Sequence, residues 1–220
     1  MRINVYVAQA TGLSRRQADN LVRQGKIEID GRIAELGSLV QYDSKVMYDG
    51  RPLQPKTTLT IMLNKPVGYV VSRNGQGSKT IYSLLPKEIG DLKPIGRLDK
   101  NSSGLLLLTN DGNLAQDLTH PSKQKDKLYE VEINKQLEEK DIIKLNTGIE
   151  LSDGMSRLKT TGLSKDRQAL SVVIHEGRNR QIRRTFEALG YKVTRLHRTK
   201  FGNYSLNGLS TGKWKQINIQ

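Results

Sequence analysis

The sequence predicts an α+β protein in two parts: a small N-terminal domain over residues 1–56 and a larger one over 57–220, built on a mixed, mostly antiparallel sheet flanked by helices. Three observations predict it. Two short N-terminal stretches carry apolar residues at helical spacing, and alternating apolar and charged residues follow on either side of Asp30-Gly31. Leu105-Leu-Leu-Leu108 is apolar enough for a strand covered on both faces. Beyond it, alternating runs such as Leu128–Ile133 are interleaved with stretches of helical period.

In the first domain, Ile3, Val7 and Ala10 define one helical face, and Thr11-Gly12-Leu13 breaks it. Ser14-Arg-Arg-Gln17 reads as the capping box of a second helix with Ala18, Leu21 and Val22 inward, ending before Gly25. Ile27 and Ile29 form a strand, Asp30-Gly31 a type I′ turn, and Ile33 begins the return. Val46, Met47 and Arg51-Pro-Leu complete the unit. Arg15, Arg16, Arg23 and Lys26 cluster on and around the second helix, either as a solvated flank or as a basic binding face.

The second domain opens with the strand Leu59–Leu63 and a sharp turn at Lys65-Pro66-Val-Gly68. Residues 72–79 form a polar loop, and Thr80 to Leu85 a short helix stopped by Pro86. A loop then carries Arg97-Leu-Asp99-Lys100 into the apolar strand. A lone carboxylate among cations on a loop held by a rigid strand suits a binding or catalytic group, although such an aspartate also commonly just caps a loop or pairs with an arginine. A helix over 113–119 follows, then a basic loop over 122–127, a half-buried strand at 128–133 and an amphipathic helix over 137–145. Residues 149–163 offer few clues beyond strand and turn, and Ala169–Ile174 is a strand. Ile182, Phe186 and Leu189 mark a helix starting near Arg180, and strands close the chain between Leu206 and Ile219. Arg178, Arg180, Arg183 and Arg184 crowd that helix start, where the backbone dipole is already positive, so an anion is expected there: RNA phosphates, Asp99, or both.

The charge balance agrees. Lysine and arginine number 36 against 22 acids, a formal net charge of +14 that points to a polyanionic partner, with nucleic acid first. The first 60 residues hold nine basic and six acidic side chains and the remainder 27 and 16, so the larger domain is expected to touch the polyanion itself. With no cysteine there are no disulfides or thiolate metal sites, and His120, His175 and His197 lack metal-ligand spacing. No signal-peptide core or membrane-length apolar run is present; a cytoplasmic protein with no membrane partner is expected.

Four stretches together resemble the RsuA/RluB/RluE/RluF-type pseudouridine synthases that carry an N-terminal S4 domain, and the resemblance spans nearly the whole chain. Ser14-Arg-Arg-Gln-Ala with Val22-Arg-Gln-Gly-Lys-Ile-Glu-Ile-Asp-Gly resembles the S4 RNA-binding domain. Gly96-Arg-Leu-Asp-Lys-Asn-Ser-Ser-Gly-Leu-Leu-Leu-Leu-Thr-Asn-Asp-Gly resembles the family's aspartate motif, with Ser102 where Thr is usual. Lys127-Leu-Tyr-Glu-Val resembles its tyrosine motif and Glu176-Gly-Arg-Asn-Arg-Gln-Ile-Arg-Arg its arginine motif.

The resemblance implies isomerisation of one uridine in ribosomal RNA, more in keeping with 23S than 16S, by breaking a C–N bond, turning the base and making a C–C bond. No redox cofactor, nucleoside triphosphate or metal is implied. By it Asp99 is the catalytic carboxylate, Tyr129 stacks on the uracil and Arg183 pairs with Asp99; Arg15, Arg16, Arg23, Lys26, Arg97, Arg178, Arg180 and Arg184 are assigned to RNA. The partner is a structured stem-loop or an assembly intermediate, and the protein is expected to be a monomer. A non-catalytic S4-type assembly factor is the alternative, and a nucleic-acid hydrolase a more distant one, since no second acid accompanies Asp99.

Overall fold

The computed structural model describes residues 1–123 and 125–218 and divides into two compact units, Met1–Leu59 and Thr60–Gln220. The sequence reading set the junction three residues earlier. No helix among the described residues is long and apolar enough to cross a membrane.

The first unit contains α1 (Ile3–Thr11), α2 (Arg15–Arg23), β1 (Ile27–Ile29), β2 (Arg32–Ile33), β3 (Val46–Tyr48) and β4 (Arg51–Pro52), the strands forming an antiparallel sheet in the order β2-β1-β3-β4. Ser14 and Gln17 make the reciprocal capping box at the start of α2. Asp30 (φ 51°) and Gly31 (φ 77°) are both left-handed, as a type I′ turn requires. Asp49-Gly50 repeats the device (φ 45° and 72°) between β3 and β4. Ile3, Val7, Ala18, Val22, Ile27 and Val46 fill the core between helices and sheet.

The second unit runs β5 (Thr60–Lys65), β6 (Lys93–Ile95), β7 (Ser103–Thr109), α3 (Gly112–Thr119), β8 (Lys127–Ile133), α4 (Glu139–Thr147), β9 (Ile149–Leu151), β10 (Gly154–Ser156), β11 (Lys159–Leu163), β12 (Ala169–Ile174), α5 (Gln181–Ala188), β13 (Val193–Phe201), β14 (Tyr204–Ser205) and β15 (Trp214–Gln216). Its sheet has the order β11-β12-β8-β13-β7-β5-β15, with β14 added to β13 and β6 to β7, while β9 and β10 form a separate hairpin. The pairings are antiparallel apart from β13 with β7, which makes the sheet mixed. The closing strand expected to reach Ile219 is seen as β15; Ile219 itself and Gln124 of the basic loop lie outside the described residues.

Every residue of β7 is buried, as the four-leucine run predicts. One edge of β7 lies against β5 along its length, and the other edge is shared: β13 pairs with Ser103 and Gly104, while β6 pairs with Leu107 to Thr109. That edge therefore changes partner between Gly104 and Leu107, and the β6–β7 connection bearing Asp99 leads back from Ile95 to the start of β7. Two expected helices differ. The one over 80–85 is a single 3₁₀ turn, Ile81–Leu84. The one over 137–145 begins at Glu139, because Leu137, though fully buried, belongs to the lead-in segment.

Candidate active site

The Asp99 loop is built on a buried cation. Lys65, at the end of β5, is 0% exposed, and its Nζ donates to the carbonyls of Pro66 (3.0 Å), Asp99 (3.1 Å) and Ser102 (2.7 Å). An ammonium has three protons and no acceptor, so burying it requires three acceptors in place. Burial pushes its pKa down to about 8, with the Asp99 carboxylate opposing the shift. Ser102 N also donates to Asp99 O (3.0 Å), closing a turn, and Gly68 N to Lys100 O (2.8 Å). Lys65 is thus the loop's internal brace, a scaffold residue in substance.

The Asp99 side chain, 34% exposed, faces Arg180, whose Nη1 lies 3.9 Å from Oδ2. Arg183, expected to pair with Asp99, interacts with that carboxylate electrostatically, while its hydrogen bonds go elsewhere. That residue donates through Nη1 to Val193 O (2.9 Å) and through Nη2 to Asn101 O (2.7 Å), gripping the backbone of the Asp99 loop and not its carboxylate. The reason lies in where each arginine starts. Arg183 is inside α5 and half-buried beside two carbonyls, whereas Arg180 precedes the helix in a left-handed conformation (φ 47°) with its side chain 48% exposed. Burial and the neighbouring Arg180 push the Arg183 pKa down, and Asp99 counters them. Asn101, Arg180, Arg183, Glu187 and Leu196 line an open groove beside the loop.

The anion required at the start of α5 includes one that sequence reasoning missed. Asp153, in the β9–β10 turn, takes Arg184 through both oxygens (3.0 and 2.6 Å) and Arg178 through Oδ1 (2.9 Å). Arg178 also donates to the carbonyls of Asp153, Gly154 and Met155 and lies 3.3 Å from Glu176. These contacts, Arg184 first, hold the Asp153 carboxyl below its ordinary pKa. The available signal was Asp153-Gly154 itself, an acidic turn in a strongly basic domain.

Tyr129 lies on β8, one strand away from the Asp99 side of the sheet. It pairs with Arg198 on β13, which in turn pairs with Gly104 on β7, so the three form one row across the sheet. The ring is 7% exposed and does not line the groove. Arg198 is 2% exposed; its Nε donates to Leu105 O (2.8 Å), its Nη1 reaches the Tyr129 hydroxyl at 3.4 Å, and its Nη2 is buried with no hydrogen-bond partner among the described residues. Its guanidinium lies over the Phe201 ring at 5.0 Å and the Tyr129 ring at 6.0 Å. Period-two spacing from Leu196 was the clue that Arg198 points inward. Neighbouring His197 bonds to the Ser103 hydroxyl (2.8 Å), and burial, then Arg195, lowers its pKa.

Arg97 is exposed beside Asp99. In the first unit Arg15, Arg16, Arg23 and Lys26 are all exposed, and Arg23 bonds to Asn20 (2.9 Å). Asp99, Arg180 and Arg183 are therefore gathered at one loop, Arg178 and Arg184 are tied to Asp153, and Tyr129 is held by Arg198. Among the described residues no group of three His, Asp or Glu side chains could hold a metal ion.

Residues 59–188 match the model of the RNA pseudouridylate synthase family, and residues 1–42 match that of the S4 domain. An uncharacterized RNA pseudouridine synthase of Aquifex aeolicus is 35% identical over 99% of this chain and 90% of its own. The ribosomal large subunit pseudouridine synthase B of Bacillus subtilis is 35% identical, over 98% and 91% of the two chains, and that of Yersinia pestis 34%, over 100% and 73%. A crystal structure of a pseudouridylate synthase superposes with a TM-score of 0.70 at 30% identity, covering 99% of this chain and 96% of the other.

Proposed function

The chain belongs to the RNA pseudouridine synthase family, and from that premise we propose that it isomerises a uridine of large-subunit (23S) ribosomal RNA, with Asp99 as the catalytic carboxylate. The observation that carries the reading is a partly exposed carboxylate whose loop is held by Lys65 at the Asp99 carbonyl and by Arg183 at the Asn101 carbonyl, while the Arg180 guanidinium faces its oxygens. A reacting group held at fixed position by a rigid shell is what rate acceleration through orientation needs.

In this proposal the target nucleotide leaves its helix, because the glycosidic bond is out of reach in a stacked duplex. Asp99 acts as the ionised group, by nucleophilic attack or by stabilising charge as the C–N bond breaks. The detached uracil turns and rejoins the ribose through C5, whose hydrogen is lost as a proton, so nothing is oxidised or hydrolysed overall. Tyr129 stacks on the base, which requires its side chain, 7% exposed, to be uncovered. Arg97 holds a flanking phosphate, and Arg180 faces the Asp99 carboxylate. Arg15, Arg16, Arg23 and Lys26 of the S4 unit take the structured RNA through backbone and shape. The enzyme acts as a cytoplasmic monomer on free RNA or an assembly intermediate.

The test is tritium release from a 23S transcript labelled at uracil C5. Wild type releases tritium stoichiometrically with one mapped pseudouridine. Asp99→Asn releases none and binds the transcript within about threefold of wild type, as expected of a group that acts in the transition state. Equal losses of binding and turnover would overturn the assignment.

A further inference from the structure

We infer that Asp153 is a positioning residue for the isomerisation: by tying Arg178 and Arg184 to the β9–β10 turn, it fixes the left-handed Arg180 backbone that carries a guanidinium to Asp99. The inference rests on the function proposed above and adds a residue that touches neither Asp99 nor the groove.

The segment from Arg178 to Arg184 has every reason to splay. Four guanidinium groups repel one another at a helix end of like sign, and Arg180 occupies a region of φ that a non-glycine residue adopts only when its surroundings hold it there. The hairpin supplies that hold on both sides of Arg180. Before it, Arg178 is bound to the Asp153 carboxylate and to three successive carbonyls, Asp153 to Met155. After it, Arg184 forms a two-point pair with Asp153 while its Nε donates to the carbonyl of Asn179 (2.9 Å), the residue immediately preceding Arg180. Beneath these lies a buried polar seam, in which Ser156 Oγ meets Thr185 Oγ1 (2.8 Å) and Gln181 Nε2 (3.1 Å). One carboxylate therefore sets the backbone on either flank of Arg180 and leaves Arg180 itself free to face Asp99.

A different consequence would follow if Asp153 merely occupied two phosphate-binding arginines until RNA displaced it. Removing its charge would then free Arg178 and Arg184, tighten RNA binding and steepen its salt dependence by about one unit per released arginine. The positioning reading demands the reverse emphasis, a fall in turnover with binding little changed.

The experiment uses the full chain, the C5-labelled 23S transcript and four variants. Asp153→Asn, an isosteric neutral change, lowers single-turnover kcat about tenfold with KM and the salt slope within about twofold of wild type, the scale expected when a catalytic neighbour shifts by a fraction of an ångström. Arg184→Lys, which keeps the charge and loses the two-point geometry, gives the same loss. Arg180→Ala lowers kcat as well, and Asp153→Asn adds nothing to it in the double variant, since both act through one guanidinium. Undiminished turnover in either Asp153→Asn or Arg184→Lys, tighter RNA binding by Asp153→Asn, or multiplying losses in the double variant would each overturn the inference. A wild-type protein that releases no tritium would instead overturn the proposed function.

Discussion

A β-carbon built on Gly104 would stand 2.2 Å from the carbonyl oxygen of Arg198 and 2.6 Å from its amide nitrogen. Both atoms are backbone of β13, so neither can swing aside, and Gly104 has a φ of 107° that a side chain would strain. This contact is where the parallel pair β7–β13 closes. Gly104→Ala is expected to destabilise the larger unit by about 2–5 kcal/mol, combining strain with overpacking. A urea midpoint unchanged from wild type would show that the two strands can separate freely.

Arg198 is a charge held in the sheet with one nitrogen unbonded. Replacing a poorly compensated buried cation by an apolar side chain of similar length often costs little stability. Here, however, Arg198→Met also leaves the Leu105 carbonyl without its donor, so it is expected to cost about 1–3 kcal/mol and to lose about tenfold in turnover through the Tyr129 hydroxyl it contacts. In a Tyr129→Phe background the same change should have no further effect on kcat; independent losses would detach Arg198 from the tyrosine.

Lys65 sets an alkaline limit. Its ammonium is complete below about 8 and is lost as pH rises through that value, removing one of the three donors that hold the Asp99 turn. Between about 8 and the ordinary 10.5 the unfolded chain keeps this proton and the folded chain does not, so the group's contribution to global stability rises over that window while the loop loosens. Turnover is expected to decline with a midpoint near 8. Lys65→Met, leaving carbonyl acceptors unmet at a cost of about 2–4 kcal/mol, should be weakly active and lack that limb. Coincident alkaline limbs in the two proteins would assign the decline to another group.

Each unit has its own core, so residues 60–220 produced alone are expected to fold, with a cooperative melt by circular dichroism. Losing the exposed Arg15, Arg16, Arg23 and Lys26 should weaken binding of the 23S transcript by about tenfold or more through lost avidity. Equal affinity of the truncated and full chains would remove the first unit from RNA recognition.

What could be read from the sequence is what local chemistry decides. Ser14 and Gln17 announce a cap, Asp30-Gly31 a turn, the four leucines a buried strand, and Ile182 with Phe186 a helix; each expresses a backbone preference within a few residues. What escaped was set by distant partners. Nothing near Lys93-Pro-Ile95 shows that it will share an edge of β7 with β13. Arg183 and Arg180 are indistinguishable as cations, and only the left-handed backbone and the carbonyls of Asn101 and Val193 sort their roles. Asp153 looked like an ordinary turn residue because its two arginines lie 25 and 31 positions away.

The slot between β7 and β8 is filled by β13, which follows both in sequence and ends at Phe201. The row joining Gly104 to Tyr129 consequently cannot exist in a nascent polypeptide until β13 has been synthesised and has left the exit tunnel. Such long-range closure is slow compared with local hairpins and helices. A copy of this enzyme whose β13 is not yet made, still tethered to the ribosome, would have its first unit shaped and the row from β7 to β8 unassembled.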